Sequence, residues 1–186
     1  TDAFRAALRD GHTPQEVASA LPPDAPSIDP LPQIRLAEEI EAVRLRTDEY
    51  AESREGPPQF LLAPIGPPAL RSARANFSRN FLGVAGFAID TPLKFESVDA
   101  VAETAVAQDA DAVVLCGADD DYADLAPALA AALSDHGHEA LLGIAGAPND
   151  TDVGEAADFF VHQGSSLTQT LTALQNDLGL PAGEET

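Results

Sequence analysis

Three arginines, Arg71, Arg74 and Arg79, stand on one predicted helix in a chain with only ten lysines and arginines. Arg71 and Arg74 are one turn apart and share a helical face. Close to a helix N-terminus, where backbone N–H groups point outward, such a pair suits a phosphate-bearing ligand. The same pair equally suits ion pairs with carboxylates, in this chain or on a partner subunit. The preceding loop, Pro64-Ile65-Gly66-Pro67-Pro68, adds no acid, histidine or glycine fingerprint.

The other reactive residue types lack company. Asp119-Asp120-Asp121 invites a metal or phosphoacceptor reading, but a receiver-type site needs an acidic pair after the first strand and a lysine after the fifth. Ala63-Pro64 and Gln163-Gly164 stand there instead. Acids at a helix start, complementing the macrodipole, are the simpler reading. His136 and His138 flank Gly137 in a helix-to-strand turn with no further ligand near in sequence, short of a metal set. His162 ends a predicted strand and His12 precedes a helix start. Cys116 closes an apolar strand and needs a base to act as a nucleophile. No catalytic residue and no metal site is expected. A flavin is disfavoured too, since the first loop has no Ser/Thr-rich phosphate cradle and the chain has no Trp and two Tyr.

The elements that carry these residues alternate. Apolar segments at about 59–64, 86–90, 111–116, 139–145 and 158–162 alternate with helical periodicity, which predicts a parallel sheet covered on both faces. The fold expected is α/β and flavodoxin-like, five parallel strands in the order 2-1-3-4-5 with helices on both faces. Ser97 is placed to cap the helix after the second strand, and a helix over 121–135 follows the third. Thr151 is read as capping a short helix, and Ser165 or Ser166 the last one. Ahead of the sheet, Thr13-Pro14-Gln15-Glu16 forms a helix start with a capping box. A proline-punctuated linker follows to Pro32. A second helix over about 33–54 carries Ile34, Leu36, Ile40, Val43, Leu45 and Tyr50. The division expected is a helical extension over 1–58, the sheet domain over 59–180 and a disordered tail over 181–186.

Charge excludes several classes. With 31 acids against ten bases the chain carries −21, so nucleic acid and anionic membrane are repelled. Hydrophobic content of 45% is ample for a core. An acid-rich chain whose only lysine is Lys94 suggests a protein working in concentrated salt, where screening shrinks self-repulsion. A lone cysteine and the lack of an apolar run of about 20 residues fit a cytoplasmic protein.

Four segments carry a family resemblance. These are Ala69 to Phe87, Val113 to Tyr122, Gly143 to Pro148 and Asp158 to His162, with Ile28-Asp29-Pro30-Leu31-Pro32 upstream. The four resemble the C-terminal, cobalamin-binding-like domain of the small, non-catalytic subunit of methylmalonyl-CoA mutase, and the upstream segment, like the extension over 1–58, resembles the tail of the barrel domain that precedes it, over roughly residues 28–180 in all. In cobalamin-binding relatives the first loop carries Asp-x-His-x-x-Gly, whose histidine ligates cobalt. Here those positions hold Ala69, Arg71 and Arg74. An arginine has no lone pair to give a metal, and Arg74 adds bulk where the corrin tail would pass. The family's Ser-x-Leu falls on Cys116 and Ala118, and its Gly-Gly pair on Ala145 and Gly146.

The resemblance therefore implies a chain that binds no cofactor itself. It also implies a heterodimer with a large catalytic subunit. That subunit would hold adenosylcobalamin and interconvert (R)-methylmalonyl-CoA and succinyl-CoA, while this chain serves a structural, partner-stabilising role. Two alternatives stay open at this point. One is an autonomous module gripping cobalamin or a phosphate-bearing ligand with Arg71 and Arg74. The other is a homodimer formed through the apolar face of helix 33–54.

Overall fold

The structure, a computed structural model, describes residues 9–13, 37–54 and 56–181. The expected helix from Thr13, the proline-punctuated linker and the tail beyond Pro181 lie outside the described residues. Helix α1 (Glu38–Ser53) precedes five strands and four helices. These run β1 (Gln59–Pro64), α2 (Pro68–Gly83), β2 (Ala88–Asp90), α3 (Val98–Ala107), β3 (Ala112–Cys116), α4 (Tyr122–Asp135), β4 (Leu141–Ile144), β5 (Phe159–Phe160) and α5 (Leu167–Asp177). The strands form one sheet in the order β2-β1-β3-β4-β5, with every pairing parallel. Among the described residues no helix is long and apolar enough to cross a membrane.

Period-two alternation sorts the strand side chains onto two faces. Phe60 and Leu62 of β1 join Leu82, Phe87, Val114, Phe159 and Leu174 on the face of α1, α2 and α5. Leu61 and Ala63 join Val101, Val113, Leu129 and Ile144 on the face of α3 and α4. Because both faces are covered, β1 and β3 read as unbroken apolar runs.

The outer strands are shorter than the apolar runs suggest. β2 starts at Ala88 rather than 86 because Gly86, at φ 85°, still belongs to the turn that closes α2. The N–H groups of Ala85 and Gly86 donate to Leu82 O and Gly83 O in that turn. β5 keeps only Phe159 and Phe160, at the sheet edge, although Asp158 and Val161 each donate one further backbone bond to β4. Ser97 caps α3, its Oγ accepting from Ala100 N at 3.3 Å. Thr151 caps nothing: its Oγ1 donates back to Ala147 O, and the short 3-10 turn begins at Gly154. Ser166 holds the N-cap position of α5 without a side-chain bond, while Ser165 Oγ accepts from His162 N.

Helix α1 and the sheet belong to one compact unit, with α1 docked on α5. Gln175, fully buried, donates from Nε2 to Val43 O at 2.7 Å and to Thr47 Oγ1 at 2.8 Å. Arg46 donates to Leu180 O and Pro181 O, tying down the end of the chain's last described segment. The docked face is thus Val43, Arg46 and Thr47, whereas Leu45 is 58% exposed. Of the apolar stripe expected on helix 33–54, Val43 is therefore covered by α5 and Leu45 is left exposed.

Candidate functional site

In this fold a ligand-binding crevice opens beyond the C-terminal ends of the strands, where the order reverses between β1 and β3. Register brings Pro64 beside Cys116 and Leu115 beside Ile144, so the loops after β1, β3 and β4 meet at one edge. Ile65 N–H donates to Cys116 O, and Ala145 N–H donates to Leu115 O.

Side chains close this edge. Tyr122, the first residue of α4, is fully buried, and its hydroxyl accepts from Gly117 N at 2.8 Å. The hydroxyl proton faces Ala145 O at 3.0 Å and Gly117 O at 3.1 Å. Arg74 reaches across from α2: one guanidinium nitrogen donates to Ala145 O, and the other pairs with Asp119 Oδ2 at 2.6 Å. Two loops, after β3 and β4, and two helices, α2 and α4, are thus tied together, with Arg74 and Tyr122 both meeting the Ala145 carbonyl. The space left is small. A Cβ at Gly146 would stand 2.9 Å from Asp119 Oδ1, 3.1 Å from Arg74 Nη1 and 3.2 Å from Tyr122 Cε2. Burial raises the Tyr122 phenol well above its ordinary value, keeping it neutral and a hydrogen-bond donor.

The sequence-derived site residues divide here. Arg74, Ala145 and Gly146 come together at the closed crevice. Ala69 lies apart, exposed in the first turn of α2. Arg71 donates to Gly66 O at 2.7 Å and lines a cleft of about 680 Å3 with Lys94, Phe95 and Glu96. Arg74 borders a different cleft, of about 390 Å3, with Phe77, Asp150 and His162. The two arginines therefore share no pocket, one turn apart though they are. Arg79 donates to Thr91 Oγ1 at 3.3 Å. Ala118 is half-buried at the start of the 3-10 turn Asp119–Asp121 that leads into α4.

Among the described residues no group of three or more His, Cys, Asp or Glu is arranged to hold a metal. His138 Nε2 stands 2.9 Å from Ala110 O, His162 Nδ1 accepts from Gly164 N, and His136 is exposed at the end of α4. Sequence reasoning missed the pairing of Asp119 with Arg74. No signal in the sequence could have found it, since the two residues are 45 positions apart on different elements.

Cys116 is fully buried, and desolvation pushes its thiol up to about 12, against a smaller opposing effect of the Ser78 hydroxyl. A folded-state value above the unfolded one means the thiol form stabilises the fold. That contribution is whole below the ordinary 9.0 and is lost as pH rises towards about 12. The expected result is that a chromogenic disulfide reagent at pH 8 leaves Cys116 unmodified in the native chain and reacts fully once denaturant is added. Rapid stoichiometric labelling of the folded protein would contradict this burial.

No protein-family model matches the chain. It is 40% identical over 156 residues to the methylmalonyl-CoA mutase small subunit of Porphyromonas gingivalis, covering 83% of this chain and 24% of that protein. It is 30% identical over 167 residues to the protein of the same name from Streptomyces virginiae, covering 89% of this chain and 25% of that one. The chain thus spans about a quarter of the length of the curated relatives it matches. Among solved structures, a CheY-like protein (tadZ) from Pseudomonas aeruginosa PAO1 aligns with a TM-score of 0.49 and 16% identity, over 67% of this chain and 96% of that one.

Proposed function

We propose that this chain, which over its matched length belongs to the methylmalonyl-CoA mutase small subunits, is a structural domain that stabilises a catalytic partner and binds no cobalamin. One observation carries the reading: the strand-end crevice is closed by Tyr122, Arg74 and Asp119 around the Ala145 carbonyl. A corrin tail entering there must break a partly buried ion pair of 2.6 Å and displace a fully buried tyrosine. In the first turns of α2, Arg71 also stands where the resemblance would need a cobalt-ligating histidine. The residues present do not fit the cofactor.

On this reading adenosylcobalamin and the acyl-CoA belong to a large subunit in a cytoplasmic heterodimer. That subunit would carry out the interconversion of (R)-methylmalonyl-CoA and succinyl-CoA. The rival reading, an autonomous module using Arg71 and Arg74, gains nothing from the geometry, because the two guanidiniums open on different clefts. Titration with hydroxocobalamin and adenosylcobalamin in concentrated salt tests the proposal, followed by visible spectrum and heat. The expected result is no saturable change up to roughly millimolar cofactor, leaving at most about −4 kcal/mol of affinity. Saturable micromolar binding would overturn it.

A further inference from the structure

Helix α1 is held to the domain by few side chains. Of its 16 residues only Val43, Arg46 and Thr47 are buried, and of these Val43 alone is apolar. Each of the other four helices buries at least two apolar side chains, as Phe81 and Leu82 in α2 or Leu129 and Leu133 in α4. Val43 joins Leu171 and Leu174 of α5 in the core. The hydrophobic contribution to this joint is therefore close to that of one side chain.

Polar groups supply the rest, and two of them oppose docking as well as direct it. Gln175 Nε2 donates to Val43 O and Thr47 Oγ1, but its Oε1 is buried and accepts no hydrogen bond among the described residues. Arg46, 8% exposed, donates to the Leu180 and Pro181 carbonyls. Among the described residues no carboxylate pairs with it, and desolvation lowers its pKa. An unpartnered acceptor and an uncompensated buried cation both regain hydration when the joint opens. Arg44 lies over Gly86 but is itself exposed. The link to β1 permits movement: Gly56 stands at φ 141° with nothing within 4 Å of where a Cβ would sit. Pro57 and Pro58 follow it and stiffen the approach to β1.

We propose that α1 is a latch, which undocks from α5 and unfolds as a unit about Gly56 while the five-stranded sheet stays intact. A helix of 16 residues is marginal in water once released, so undocking and loss of its hydrogen bonds go together. The open state uncovers the face of α5 around Leu171 and Leu174, against which Val43 packs. The latch does not depend on the partner-stabilising reading given above.

Amide hydrogen exchange of the full chain in concentrated salt, resolved by element, is the test. Amides of α1 are expected to exchange at least roughly 100-fold faster than those of β1 and β3, yet slower than in an unstructured peptide. Val43→Ala removes the apolar anchor and is expected to speed α1 exchange about tenfold or more, with β1 and β3 unchanged. Leu129→Ala, in the core on the opposite face of the sheet, is expected to do the reverse, speeding β1 and β3 and leaving α1 as it was. If α1 exchanges at the rate of β1 and β3, or if Val43→Ala accelerates all three alike, α1 opens only with global unfolding and the proposal is overturned. Exchange of α1 at the rate of an unstructured peptide overturns it too, since the latch would then never close.

Discussion

Tyr122→Ala is expected to lower the stability of the domain by about 4 kcal/mol, within the range for removing a buried aromatic side chain. Tyr122 has no exposed surface and packs with Val101, Leu129 and Ile144 on one face of the sheet. Its loss also orphans the Gly117 N–H, which donates to the hydroxyl at 2.8 Å. For a domain of this size the melting temperature should fall by roughly 8–16 °C. Tyr122→Phe separates the two contributions, since it keeps the ring and removes the hydroxyl. The Ala145 carbonyl retains Arg74 as a donor, so the main deficit is one buried N–H, about 1–2 kcal/mol. Thermal melts of the three proteins check both figures. An alanine variant melting within a degree or so of wild type would show that the crevice is not packed as described.

Gly143→Ala should cost about 3 kcal/mol, at the upper end for overpacking a filled core. A Cβ there would lie 2.3 Å from Phe159 Cζ and 2.5 Å from Cε2. Phe159 is the parallel-strand partner of Gly143, and its ring covers the glycine. The ring has little room to retreat. It meets Phe60 edge-on at 6.5 Å, and Phe60 stacks on Phe87 at 4.6 Å. Denaturant titration of Gly143→Ala, Phe159→Leu and the double variant should reveal a coupling of roughly 1–3 kcal/mol, the double costing less than the sum. Strict additivity would mean that the clash is relieved by backbone movement rather than by the ring.

Such contacts mark where sequence reasoning stops. β1 occupies the residues expected of it because Phe60 to Ala63 is an apolar run that only a strand buried on both faces accommodates. α4 lies within one residue of its expected span for a similar reason, since Leu125, Leu129 and Leu133 recur at helical spacing. Gly143 reads merely as a residue within a strand; its need to be glycine comes from a ring sixteen positions later. Leu45 misled because it fits the helical stripe of α1, whereas the docked face is set by Gln175, far along the chain, which selects Thr47 and the Val43 carbonyl.

Strand order and the two-sided core are properties of local composition and period. Apolar runs alternating with amphipathic helices admit few parallel arrangements, and so the sequence alone determined them. At the positions where the resemblance puts the motif's aspartate, histidine and glycine, the sequence reads Ala69, Arg71 and Arg74. The tertiary structure alone decided what stands in the crevice instead. Arg74 and Asp119 are 45 residues apart, and Arg74 and Ala145 are 71 apart. No local pattern couples such pairs; the parallel sheet brings their loops to one edge, and side-chain reach does the rest. Folding likewise parted Arg71 from its neighbour Arg74, because a helix turns about 100° per residue and the loops on its two flanks differ.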